Sequence, residues 1–150
     1  MEVYRICLEK WSTRLSASGQ AARWNSRGKY VLYTAQSRAL ACLENVVHRS
    51  GEGLNALFQV MVIEVPAAVS LQEVDPAALP DDWTDYARQA GCQAIGDQWL
   101  AAGAAAVLRV PSAIIARESN FLINPLHPDF DRIRLATRED FRFDPRIKSV

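Results

Sequence analysis

Apolar positions along this chain come mostly in short runs separated by small, polar or turn-forming residues. Val3 to Leu8 reads as a first strand, and the small polar residues 12–22 read as a loop. Val31 to Ala35, β-branched and aromatic, predicts a second short strand. Over residues 38–49 the spacing becomes helical. At about 100° per residue, Leu40, Leu43 and Val47 fall on one stripe with Val46 beside it. Ser37 is suited to cap the start of that helix and Gly51 to end it. Leu57 to Val65 is nearly continuous apolar sequence, as in a strand buried on both faces. Val69 to Val74 predicts another strand. Pro76, Pro80, Asp81 and Asp82 mark a turn into helical pieces at 82–88 and 92–102, the second ending at Gly103. Strands are expected at 105–110, 112–117 and 121–123, and a turn or single helical turn at 127–130. Closing strands are expected at 133–136 and 141–143. Many strands, few helices and no regular β-α-β alternation predict an α+β fold.

The chain of 150 residues is read as one domain, 1–150, large enough for its own core. Its net charge of +0 is unevenly spread. Residues 1–60 carry eight basic and four acidic side chains, residues 61–100 one and seven, and residues 101–150 eight and six. The basic first part would attract an anionic small molecule, although solvated charge without a role explains it equally. It is too dispersed to suggest a nucleic-acid surface. Cys7, Cys42 and Cys92 are odd in number and far apart, with no CxxC. They form neither a disulfide framework nor a zinc site, and fit a reducing cytosol. His48 and His127 are the only histidines, which excludes a multi-histidine metal site. The start MEVYRICLEKW has no long apolar run, so no signal peptide is expected. No stretch approaches the ~20 apolar residues of a membrane span. No GxSxG, Walker A or GxGxxG motif is present.

Four residues stand out as candidates for chemistry. Glu44 projects about 40° from Leu40, at the edge of the apolar stripe, where a partly desolvated carboxylate must find a partner. A surface glutamate paired at i,i+4 with His48 is the plainer alternative. Arg23 lies between a small-residue loop and Trp24, suited to gripping phosphate with a bidentate fork or simply packed on the tryptophan. Tyr33, mid-strand, can stack on an aromatic base or fill the core with its hydroxyl at the rim. Ser112 follows Pro111 at a strand break, where hydrogen bonding suits it better than nucleophilic attack.

Taken together, these segments resemble the RES-domain family, named for an Arg, a Glu and a Ser. The matching pieces are YRI near the start, ARWNSRG at 22–28, VLYTA at 31–35, LACLENVVH at 40–48, VPSA at 110–113 and NFLINPLHPDF at 120–130. Each is weak alone; in this order and spacing they are specific. Ala21 and Ala22 stand where family members often carry glycines before the Arg-Trp-Asn. The resemblance implies a fold like that of ADP-ribosylating toxins, with two small sheets flanked by helices around a cleft that binds NAD+. It implies the toxin half of a bacterial toxin–antitoxin pair that depletes cytoplasmic NAD+ by cleaving the nicotinamide–ribose bond. Water or inorganic phosphate would be the acceptor, and no metal would be needed. At least some members instead transfer ADP-ribose to a protein, and a non-catalytic partner-binding domain is a third reading. Carried over by motif, Glu44, Arg23, Tyr33 and Ser112 would form the catalytic set, and Arg5 and Asn124 would join Arg23 and Tyr33 in holding NAD+. The implied partners are an Xre-like helix-turn-helix antitoxin that occludes the site and a second toxin copy, with DNA met only through the antitoxin.

Overall fold

The computed structural model describes residues 1–48, 57–144 and 146–147. Its strands are β1 (Glu2–Leu8), β2 (Leu32–Ala35), β3 (Phe58–Glu64), β4 (Leu71–Glu73), β5 (Val107–Pro111), β6 (Ser119–Ile123) and β7 (Arg134–Phe141). Among the described residues two α-helices accompany them, α1 (Arg38–His48) and α2 (Ala90–Ala102). The strands form one mixed sheet in the order β4-β5-β6-β2-β1-β3-β7, in which only β4 and β5 run parallel. The α+β class is as the strand-rich pattern implies.

The two small sheets implied by the resemblance are, in this chain, two halves of that one sheet. β1 is zipped to β3 from Glu2↔Glu64 to Leu8↔Phe58, and β2 to β6 from Leu32↔Ile123 to Ala35↔Asn120. Between the halves, β1 and β2 share the single pair Tyr4↔Ala35. One pair makes the sheet continuous without closing the gap beside it, and that gap opens into the cleft.

β3, next to the edge strand β7, is buried from Phe58 to Ile63 as its nearly continuous apolar run predicts. Val3, Leu32, Met61, Ile63, Val107 and Ile123 build the main core across both halves of the sheet. Trp24, Trp99, Leu108 and Leu122 pack a second cluster under α2, and Ile6, Leu40, Phe58 and Val60 a third under α1. The Ser37 hydroxyl accepts from the Leu40 amide at 3.1 Å, capping α1 as expected. Gly51 lies outside the described residues. Gly103, at φ 58°, ends α2 in the left-handed conformation.

Four expected elements take another form. Residues 82–88 make turns rather than a helix. The carbonyls of Trp83, Thr84 and Asp85 receive the Arg23 guanidinium, and the Asp85 carboxylate caps the Ala87 amide at 2.8 Å. Residues 112–117 are the turn between β5 and β6, not a strand, because the Ser112 hydroxyl accepts from the Ile114 and Ile115 amides, both at 3.1 Å. The closing strands expected at 133–136 and 141–143 are one edge strand, β7, whose pairing is set by β3 rather than by its own mostly exposed residues.

Candidate active site

A cavity of about 570 Å³ opens where β1 and β2 part. Its lining includes Tyr4, Arg5 and Ile6 of β1, Tyr33, Thr34 and Ala35 of β2, and Glu44, Asn45 and His48 of α1. The loop residues Arg23, Trp24, Thr84, Tyr86 and Gln89 and the β6 residue Asn120 complete the polar and aromatic part of the wall. Size and mixed lining suit a ligand of nucleotide scale.

Glu44 is the only carboxylate on this wall among the described residues. Its side chain is 22% exposed, at the rim of α1 as the helical stripe predicts. The buried face is displaced from the expected stripe: Leu40 and Ala41 are buried and Val46 packs on their cluster, whereas Val47 is exposed and lines the cavity. Glu44 Oε1 accepts from Asn120 Nδ2 at 2.6 Å and from Ser112 Oγ at 3.2 Å, while Oε2 lies 3.4 Å from His48 Nε2. The i,i+4 pairing with His48 and the inward-facing role therefore coexist. Burial alone pushes the Glu44 carboxyl up, but the hydrogen bonds from His48, Asn120 and Ser112 outweigh it and hold it below the ordinary glutamate value. The result is a half-buried anion kept ionised and fixed in direction. Ser112 has no freedom to attack. Its oxygen accepts two backbone amides and its single proton is given to Glu44.

The loop before β2 is organised by Asn25, a residue the sequence pattern did not single out. Its buried amide donates to the carbonyls of Gln20, Ser26 and Lys29, and its oxygen accepts from Tyr33 Oη at 2.6 Å. Tyr33 Oη in turn accepts from the Trp24 amide at 3.1 Å. Burial raises the Tyr33 phenol far above its ordinary value, so it stays neutral. Its hydroxyl is thus committed to the loop, and its ring is what the cavity meets. Ala22 is accommodated without glycine, pairing with Asn25 in an isolated bridge of 3.0 and 3.3 Å. α2 fixes the loop from behind: Gln93 Nε2 donates to the Ala22 carbonyl at 2.9 Å, and Asp97 Oδ1 accepts from the Ser26 amide at 3.0 Å.

Arg23 lines the cavity, but three of its five N–H groups point along the wall. Nη1 donates to the carbonyls of Trp83 and Asp85, and Nη2 to that of Thr84. Arg5 also lines the cavity and donates to the Ser16 carbonyl at 2.9 Å. Among the described residues no carboxylate lies within ion-pair distance of either arginine. Asn124 is not part of the cavity wall. It follows β6, where its Oδ1 accepts from the Leu126 amide at 3.0 Å, the turn role its Asn-Pro sequence signals. Asn120, four residues earlier, is the asparagine that reaches the site. Its Oδ1, like that of Asn45, is buried without a hydrogen-bond partner. Among the described residues no group of three or more His, Cys, Asp or Glu is arranged to hold a metal ion.

One cleft thus brings together a half-buried carboxylate, two arginines without acids and an aromatic wall, groups chemically suited to an anionic, ring-bearing ligand. The RES domain family model matches residues 2–144, and this chain belongs to that family. It is 43% identical over 129 residues, covering 83% of this chain and 79% of the relative, to the Prs ADP-ribosylating toxin of Sphingobium sp. (strain YBL2). It is 31% identical over 153 residues, covering 99% of this chain and all of the relative, to Toxin Res of Yersinia enterocolitica. In fold it is similar to a chain of the M. tuberculosis MbcT-MbcA toxin-antitoxin complex. The TM-score is 0.76 at 19% identity, over 94% of this chain and 84% of that one.

Proposed function

We propose that this RES-domain protein is the toxin of a bacterial toxin–antitoxin pair and that it consumes NAD+ by cleaving the nicotinamide–ribose bond. The observation that carries this reading is Glu44, a carboxylate held ionised by three side-chain donors on the wall of a nucleotide-sized cavity. As nicotinamide leaves with the bonding electrons, positive charge develops on the ribose, as in glycoside cleavage. A fixed anion beside the ribose stabilises that charge, and a partly apolar surrounding strengthens the effect. Water or inorganic phosphate then adds to the same carbon. Tyr33 offers its ring to the nicotinamide. Arg5, without an acid partner, meets the pyrophosphate, with the Arg23 charge on the same wall. Ser112 and Asn120 hold Glu44 in direction.

A second reading, transfer of ADP-ribose to a protein, is favoured by the name of the 43% identical Prs ADP-ribosylating toxin. Incubation of the purified chain with NAD+ separates them. Free ADP-ribose or its phosphorylated form supports the first, a labelled protein the second, and no turnover leaves a non-catalytic partner-binding domain. The partner in this proposal is a small Xre-like antitoxin that occludes the cavity in the cytoplasm, on a core of two toxin copies, with DNA reached only through the antitoxin. Relatives named as toxins and a structural neighbour solved as a toxin-antitoxin complex accord with it. Co-expression would restore growth and the purified complex would lack turnover. Restored growth with turnover intact would refute occlusion.

A further inference from the structure

The three carbonyls that Arg23 holds belong to Trp83, Thr84 and Asp85, and the next residue is Tyr86. The Tyr86 ring lines the cavity and is 71% exposed, the most exposed aromatic ring of the wall. It lies 6.4 Å from the His48 ring at 40°, and His48 pairs with Glu44. Glu44 is deeper, at 22% side-chain exposure. If the scissile bond of a dinucleotide lies at the deeper Glu44, its second base extends toward the exposed part of the wall, where Tyr86 stands. An uncovered aromatic face there suits stacking on a purine.

We propose that Tyr86 is the wall on which the adenine ring stacks, and that Arg23 is a positioning residue that hangs the 83–86 turn at the cavity mouth. This inference rests on the NAD+ reading and adds to it the second base and the residue that receives it. Arg23 would then act through Tyr86 rather than by gripping phosphate with its fork.

The test is ligand binding by calorimetry, with ADP-ribose carrying adenine and nicotinamide mononucleotide lacking it. Tyr86 is exposed, so Tyr86→Ala should melt like the wild type. It should weaken ADP-ribose about tenfold and leave nicotinamide mononucleotide unchanged. Tyr86→Phe and Tyr86→Trp should bind as the wild type does. Fluorescence of etheno-ADP-ribose should be quenched on binding by the wild type and by Tyr86→Trp, but not by Tyr86→Ala. Arg23→Lys, which keeps the charge and loses the fork, should also weaken ADP-ribose selectively, and should add little in a Tyr86→Ala background. ADP-ribose bound equally well by Tyr86→Ala, or equal losses for both ligands, would overturn the stacking role. Full additivity of the two substitutions would overturn the role of Arg23. A wild type that binds ADP-ribose with Tyr86-dependent quenching yet never cleaves NAD+ would refute the proposed function and leave this inference standing. One that binds neither ligand would refute both.

Discussion

Gly96→Ala should disable the site from behind. A Cβ on Gly96 would lie 1.8 Å from the Trp24 carbonyl oxygen and 2.8 Å from its carbon. Carbon and carbonyl oxygen approach no closer than about 3.3 Å, so helix and loop must separate by roughly 1.5 Å. Neither side yields easily. Trp24 is 2% exposed, and the loop is tied to α2 by Gln93 and Asp97 on either side of the glycine. Overpacking of this kind costs about 1–3 kcal/mol. For a domain of this size that lowers Tm by roughly 2–12 °C. The larger effect falls on chemistry, because Arg23 and the Tyr33–Trp24 hydrogen bond move with the loop. A displacement of ~1 Å can cost about a hundredfold in rate, so turnover should fall by that order. Thermal melting and NAD+ turnover on the purified variant check both parts. Wild-type Tm and wild-type turnover together would refute the argument that this helix–loop contact sets the site.

The other expectations concern the carboxylate and its holders. Glu44→Gln should fold and lose NAD+ cleavage, measured as nicotinamide release, because shape is kept and the anion is not. Ser112→Ala leaves the Ile114 and Ile115 amides without their acceptor, which should cost about 1–3 kcal/mol in chemical denaturation. Turnover should drop but survive; a folded Ser112→Ala with no turnover whatever would overturn the reading that Ser112 only holds Glu44. Because the folded-state Glu44 value is depressed, its contribution to stability is present above the unfolded value and is lost as pH falls through the folded one. Protonation of Glu44 should also set the acid limb of turnover, placing it below the ordinary glutamate range. Asn120→Ala, which removes the 2.6 Å donor, should move that limb upward in a pH–rate profile. An unmoved limb would exclude Glu44 as the titrating group.

What was legible in the sequence was local. Ser37 and Gly103 act within a few residues of themselves, and the rim position of Glu44 follows from helical spacing alone. What was not legible depends on side chains reaching across the chain. Nothing within residues 82–88 announces that their carbonyls will be taken by Arg23, some sixty residues earlier. The apolar run after Ser112 reads as a strand until its hydroxyl turns the backbone, and the same hydroxyl reaches Glu44, 68 residues away. Asn25 and Asn120 sit in stretches whose pattern gives each asparagine no distinction, yet one organises the loop and the other holds the carboxylate. Asn124, beside Pro125, carried the stronger sequence signal and serves the turn that signal describes. On the proposed reading, the family's Arg, Glu and Ser are Arg23, Glu44 and Ser112, and they are not three independent reagents. Glu44 is the anion of the cavity wall, Ser112 donates to it and Arg23 holds the 83–85 carbonyls, so the motif would specify the frame of the cleft as much as its chemistry.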